Sequence, residues 1–257
     1  MNVCLASGYF PTKFKEAIIT LTPKQGKNPA VPLNYRPISL LEVPGKILEK
    51  IINNRLRNHL ETTNRANCRQ FGFRKGKSTT TAIALACENI ARAAVSGRQC
   101  NLTLRDVAKA FDKVWHDGLK YKILQLGLPA NIEKLLCKFL DGRNARLRVG
   151  QHTGETFPLM SGVPQGSVLS PTLYIIYTSD TPPPTRIGNE DIMYADDITQ
   201  ITTHQGKSRA LQVDNTRREL ERVNNYEKQW KIQTSLPKFT VIPLCRRKTH
   251  PLVTNNA

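Results

Sequence analysis

Two short runs, IGNEDIMYA (187–195) and ITQITT (198–203), meet at Asp196-Asp197, so the chain is predicted to form a hairpin with two carboxylates at its tip. A third strand-like run, NLTLRDV (101–107), carries Asp106 near its end. Neighbouring strands of one sheet can bring residues far apart in sequence side by side, so these three acids define a candidate site. Around them helices and strands interleave without strict βαβ alternation. That order predicts an α+β fold with an antiparallel sheet.

The other segments fit this reading. AIITLTP (17–23) and YRPISL (35–40) flank a Gly/Pro/Asn-rich loop and predict a hairpin. From Pro44 to His59 apolar residues recur at helical spacing, with Ile47, Ile51, Ile52, Leu56 and Leu60 on one face. Ser78 to Val95 is Ala-rich and helical, with Ser78 as a cap. Helices are predicted over Ala108–Leu126, closed by Gly127 and Pro129, and over Asn131–Asp141. A hairpin is expected at 145–149 and 155–159, and a helix within 167–180. Lys207 to Lys231 reads as a charged amphipathic helix with Leu211, Leu220, Val223 and Trp230 apolar, followed by a strand, FTVIPL.

Lys and Arg total 38 against 20 Asp and Glu, a net charge of +18. Basic side chains displace counterions condensed on a phosphate backbone, so this excess favours a polyanionic partner. No run of 18 apolar residues and no leader-like start is present, so neither a membrane span nor a secretory signal is expected. The expected location is intracellular, with nucleus and cytoplasm unresolved. The six cysteines show no CxxC spacing and read as free, mostly buried thiols of a reducing compartment. The five histidines are scattered and predict no His-ligated metal.

Three carboxylates at strand ends suit Mg²⁺, a hard cation that usually takes one or two carboxylates plus substrate phosphates. Two such ions about 3.5–4 Å apart stabilise the attacking and leaving oxygens of phosphoryl transfer. The bland alternatives are an Asp-Asp turn that bonds its own backbone, and Asp106 as a helix N-cap. GKST (76–79) invites comparison with a phosphate-binding loop, but Phe71 stands where the first Gly of GxxxxGK[ST] belongs and no strand precedes it.

The ordered company of these residues decides between the readings. YRPISLLEVPGKILEKIINNRL (35–56), QFGFRKGKSTTTAI (70–83), RDVAKAFDKVWHDGL (105–119), SGVPQGSVLSPTLY (161–174), YADD (194–197) and YEKQWKI (226–232) with Lys238 together resemble reverse transcriptases of non-LTR, LINE-type retrotransposons, the jockey-like branch above all. The resemblance implies a right-hand polymerase palm with partial fingers: fingers over 1–100, palm over 101–257, one reverse transcriptase domain over about 5–245. It implies RNA-directed DNA polymerisation with two Mg²⁺ ions (or Mn²⁺), an RNA template, a DNA primer and dNTPs. Asp106, Asp196 and Asp197 match the metal-binding aspartates, with the Val107 carbonyl facing the metal. Phe111 matches the aromatic that excludes a 2′-hydroxyl; a core Phe is the alternative. Gln165 and Gly166 are expected in the nucleotide pocket, Gly166 letting the backbone approach the substrate.

Arg36 is the expected grip on the triphosphate, since a guanidinium holds phosphate oxygens in a bidentate way, with Lys24 as a second candidate. Arg74, Lys75 and Lys77 are expected on the template backbone, against the alternative of a solvated basic loop. Lys238 matches the lysine that protonates pyrophosphate. Asp112, Asp117, Trp115 and His116 are read as outside the metal site. Two departures stand out: Arg105 where the family is often apolar, and QTSLPKF where an Asn-rich loop often precedes the lysine. On an alternating strand Arg105 points away from Asp106. A thumb, an endonuclease domain and a Cys/His knuckle are not recognised, so a catalytically silent, truncated nucleic-acid-binding remnant is the alternative reading. Phe111 argues against an RNA-dependent RNA polymerase, and YRPISL and AFDKVWH against a group II intron maturase.

Overall fold

The structure is a computed structural model that describes residues 1–206 and 208–244. Lys207, Cys245 and the rest of the C-terminal segment lie outside the described residues. Seven helices are described: α1 (Asn2–Ser7), α2 (Val43–Thr62), α3 (Thr79–Val95), α4 (His116–Leu124), α5 (Ala130–Leu140), α6 (Ser170–Tyr177) and α7 (Arg209–Gln229). The strands are β1 (Glu16–Pro23), β2 (Tyr35–Leu41), β3 (Gln99–Asp106), β4 (Asn144–Val149), β5 (His152–Pro158), β6 (Glu190–Tyr194), β7 (Asp197–His204) and β8 (Thr240–Leu244). The α+β expectation holds.

The strands form two four-stranded sheets, ordered β2-β1-β4-β5 and β6-β7-β3-β8. The second is antiparallel throughout. In the first, both expected hairpins form, and β4 then lies parallel to β1 with Ala17 opposite Ala145. Residues 144–158 therefore join the sheet begun by residues 16–41. Conversely α3, from the first hundred residues, packs Ala82 and Ala93 against Cys100, Ile192 and Ile201 of the second sheet.

Local chemistry explains the helices. Ser78 caps α3 as expected: its hydroxyl accepts from Thr81 N–H and the Thr81 hydroxyl accepts from Ser78 N–H. In α2 the buried stripe is Leu48, Ile52, Leu56 and Leu60: the last three are buried as expected, while Ile51 is half-buried and Ile47 exposed. Each fully buried aliphatic of this kind contributes about 1.5–3 kcal/mol. The helix expected over Ala108–Leu126 is overturned in its first half. Residues 108–113 form turns, with Lys109 in the left-handed region at φ 53, and α4 begins only at His116. That left-handed residue keeps a helix from starting before His116, and Lys109–Asp112 line a cleft instead of a helix face. Among the five described cysteines only Cys100 is buried, and Cys68 and Cys87 are exposed.

Candidate active site

The second sheet brings the three acids to one end. Asp106, the last residue of β3, lies opposite Asp197, the first of β7. Val107 N–H donates to the Asp196 carbonyl at 3.2 Å, so the Val107 peptide edge faces the aspartate turn. Beyond β3 the chain is held on its other side, where Ala108 N–H donates to Gln233 O at 2.8 Å and Ser235 N–H to Asp106 O at 2.7 Å. Arg105 points away from the acids, into the sheet's far side, where it pairs with buried Glu227 and donates to Thr234 Oγ1 at 2.8 Å. The departure at Arg105 is thus compensated by a carboxylate on α7.

Burial pushes the Asp196 carboxyl above its usual pKa, and the Asp197 and Asp106 charges add to this. Asp197 is raised by burial and then by Asp106. Such mutual repulsion is relieved by a cation. The Lys238 ammonium sits 2.8 Å from Asp106 Oδ1, although its side chain is 65% exposed. Among the described residues no group of three or more His, Cys, Asp or Glu side chains is placed to hold a metal ion by itself. Mg²⁺ does not require one, since it usually takes one or two carboxylates and keeps water and substrate phosphates as its other ligands. The repelling carboxylates and the ammonium drawn to them fit a divalent cation.

Asp106 and Asp196 open onto a cleft of about 580 Å³ that Val107, Phe111, Asp112, Gln165 and Lys238 also line, together with Lys24 and Arg36 of the first hairpin. Asp197 lines a separate pocket beside α3, with Ala82, Ile192 and Tyr194. A groove of about 500 Å³ on the first sheet, lined by Ile18, Leu40 and Arg146, contains none of the three aspartates. Lys24 Nζ donates to Leu33 O at 2.9 Å, which anchors it within the loop of the first hairpin. The Phe111 ring stacks on Tyr174, centroids 5.2 Å apart.

Asp112, read from sequence as outside the metal site, lines this cleft because its segment is not helical. Its carboxylate accepts from Gln165 Nε2 at 2.9 Å, and burial raises its pKa. Gly166, at φ +127, permits a close approach to β2: an added Cβ would lie 2.4 Å from Ser39 O. The approach is to protein backbone, and Ser39 N–H donates to Gln165 O at 2.7 Å beside it. Buried Glu49 of α2 accepts from Ser167 Oγ and Val168 N–H, both at 2.6 Å, and so fixes the other end of the same loop. Sequence reasoning missed Glu49; its charge among the aliphatic residues of α2 was the available signal.

Of the basic loop, Arg74 forms a two-pronged pair with Glu61 and donates to Asn67 O at 2.7 Å. Lys77 donates to Cys68 O and lies over the Phe71 ring. Lys75 is exposed. His116 bonds Gly162 O at 2.7 Å and is structural, as expected.

Comparison with known proteins accords with this arrangement. The family model described as "Reverse transcriptase (RNA-dependent DNA polymerase)" matches residues 22–248. The chain is 34% identical over 253 residues to the RNA-directed DNA polymerase from mobile element jockey of Drosophila melanogaster, covering 96% of this chain and 27% of that protein. It is 37% identical over 206 residues to a probable RNA-directed DNA polymerase from transposon BS of the same fly, covering 78% of this chain and 23% of the relative. The chain thus spans about a quarter of the length of these relatives. A solved structure of apo telomerase from Candida tropicalis shares the fold, with a TM-score of 0.66 at 13% identity over 94% of this chain and 52% of the telomerase chain. With its acids at one end of an antiparallel sheet and its motifs matched over most of its length, the chain belongs to the reverse transcriptase (RNA-dependent DNA polymerase) family, beside those of non-LTR retrotransposons.

Proposed function

We propose that this domain catalyses RNA-directed DNA synthesis by two-metal nucleotidyl transfer, with an RNA template, a DNA primer and dNTPs. The observation that carries the reading is the register of Asp106 against Asp197, with Asp106 and Asp196 lining a cleft that also holds Lys24 and Arg36. Asp106, Asp196 and Asp197, with the Val107 carbonyl, would hold two Mg²⁺ (or Mn²⁺) ions. Bound there, the ions supply Lewis-acid stabilisation of the attacking and leaving oxygens.

The remaining work falls to this chain's own residues. Arg36, with Lys24 near it, binds the triphosphate as a two-pronged donor. Phe111 walls the sugar site. Gln165, held by Asp112, lines the nucleotide pocket, and Gly166 lets its loop close on β2 beside it. Lys238 is within reach of the acids and carries a proton available to pyrophosphate. Arg74, Lys75 and Lys77 form the edge nearest the template, with Lys75 free to meet phosphate and the other two braced against the protein. The fingers and palm assignments of residues 1–100 and 101–257 belong to this same proposal.

The test is primer extension by the purified chain on an RNA template with dNTPs and Mg²⁺, beside Asp196→Ala. The variant is expected to lose more than about 100-fold in rate, beyond what an outer-shell change costs, with RNA binding unchanged. Retained extension in Asp196→Ala overturns the metal assignment. No extension by the wild type, with RNA bound, favours the silent nucleic-acid-binding remnant.

A further inference from the structure

We infer that Gln70 is a positioning residue for the Asp196-Asp197 turn, holding the backbone of Ala195 so that the two carboxylates face Asp106; this rests on the reading of those acids as metal ligands. Gln70 follows α2 in the loop QFGFRKG and is 1% exposed. Its main chain lies parallel to β6 beside Met193. Met193 N–H donates to Arg69 O at 2.9 Å and Phe71 N–H to Met193 O at 2.7 Å. That ladder stops one residue before the turn. The Gln70 side chain continues it.

Its Oε1 accepts from Ala195 N–H at 2.9 Å and from Gly72 N–H at 2.8 Å. Its Nε2 donates to Ala195 O at 3.2 Å. One amide thus meets both backbone groups of Ala195, as a paired strand residue would. The turn needs this support. Ala195 is at φ 57, a conformation that a residue with a Cβ keeps only where its surroundings over-determine it. Gly72 completes the clamp, because a Cβ there would lie 2.3 Å from Ala195 N. The acids begin at the next residue, and Asp196 O is itself fixed by Val107 N–H. Gln70 touches neither carboxylate. It acts through the peptide that carries them, as partners behind metal ligands orient those ligands.

Two variants of the full chain test this. Gln70→Met keeps length and bulk but removes the three side-chain hydrogen bonds. Gln70→Glu keeps the acceptor for Ala195 N–H and loses the donor to Ala195 O. Hydrogen–deuterium exchange over 193–198, Mn²⁺ binding to the apoprotein by electron paramagnetic resonance, and kcat and KM for dNTP are measured for each. In Gln70→Met, exchange at Ala195 is expected to quicken, and Mn²⁺ affinity and kcat to fall by about 10–100-fold. KM for dNTP and RNA affinity are expected to stay at wild-type values, a split that general loosening of the fold would not give. Gln70→Glu is expected to fall between.

Unchanged exchange and Mn²⁺ affinity in folded Gln70→Met overturn the proposal. If that variant does not fold, wild-type exchange and Mn²⁺ affinity in Gln70→Glu overturn it instead. A wild type whose Mn²⁺ binding is absent, or indifferent to Asp196→Ala, sinks the metal reading, and the exchange measurement alone then decides the clamp.

Discussion

Phe111 stacks on Tyr174 at an interplanar angle of 29° and meets Phe73 edge-on, its centroid 6.3 Å away. A ring braced from two sides cannot swing aside for a larger sugar. Phe111→Val is therefore expected to raise the ratio of ribonucleotide to deoxyribonucleotide incorporation by about tenfold or more, scored by alkali-labile sites in the extended product. An unchanged ratio would return Phe111 to the core. At this scale the sequence was most legible where an acid stood at a strand end. Asp106, Asp196 and Asp197 were readable because turn chemistry and the β-branched runs around them fixed the strand ends. The place of Asp112 in the cleft lining was not legible, because its neighbours carry helical spacing that Lys109, at φ 53, interrupts. Gln70 left no trace in the pattern: a buried amide in a loop has no period, and its three partners lie in one backbone stretch 125 residues on and in Gly72.

Along α7 the expectation of an apolar seam was half right. Val223 and Trp230 are buried, but Leu211 is 55% exposed, and the middle of the helix buries Gln212, Asn215, Thr216 and Glu219. Hydrophobic spacing could not show this, because the facing strands are polar too. Gln212 donates to Asn101 Oδ1 at 2.7 Å, and the Thr202 and Thr216 hydroxyls lie 2.8 Å apart. Glu219, fully buried, accepts from Thr185 N–H at 2.9 Å, Thr185 Oγ1 at 2.6 Å and Asn189 Nδ2 at 2.9 Å, and pairs with Arg222 at 2.7 Å. A network so nearly satisfied is costly to break. Glu219→Ala is expected to lose about 1–3 kcal/mol of unfolding free energy, read by urea denaturation, because Thr185 and Asn189 would stay buried without this acceptor while Arg222 keeps Asp191 at 2.7 Å. Loss below about 1 kcal/mol would mean that water replaces the carboxylate. Burial pushes the Glu219 carboxyl up, but the bonds from Thr185, Asn189 and Arg222 outweigh it and hold the pKa below the ordinary 4.5. On acidification the unfolded chain therefore takes up its proton first. The stabilisation from Glu219 is whole above pH 4.5 and fades as pH falls through the lower folded-state value. Glu219→Ala should abolish that part of the acid sensitivity.

Across the whole molecule the net charge of +18 makes nucleic-acid affinity a salt measurement. The proposed RNA complex is expected to show log Kd rising with log salt at a slope of about 3 or more, as several phosphate contacts require. A flat dependence would point to a site reading bases or shape with little backbone contact. The α+β class and the antiparallel sheet of acids were legible because local runs and turns encode hairpins. The parallel pairing of β1 with β4 was not, since its register joins Glu16 to Asn144 through no nearby signal. That pairing has a consequence for how the protein comes into being. During translation the β1–β2 hairpin leaves the ribosome before β4 does, so β1 gains its second neighbour only once residues 144–148 have been made. Until then one edge of β1 stands open, as a template for other chains. Truncating the message anywhere before β4 would leave that edge without its native partner, so yield in a cell should depend on synthesis reaching β4 promptly and on chaperones covering the wait.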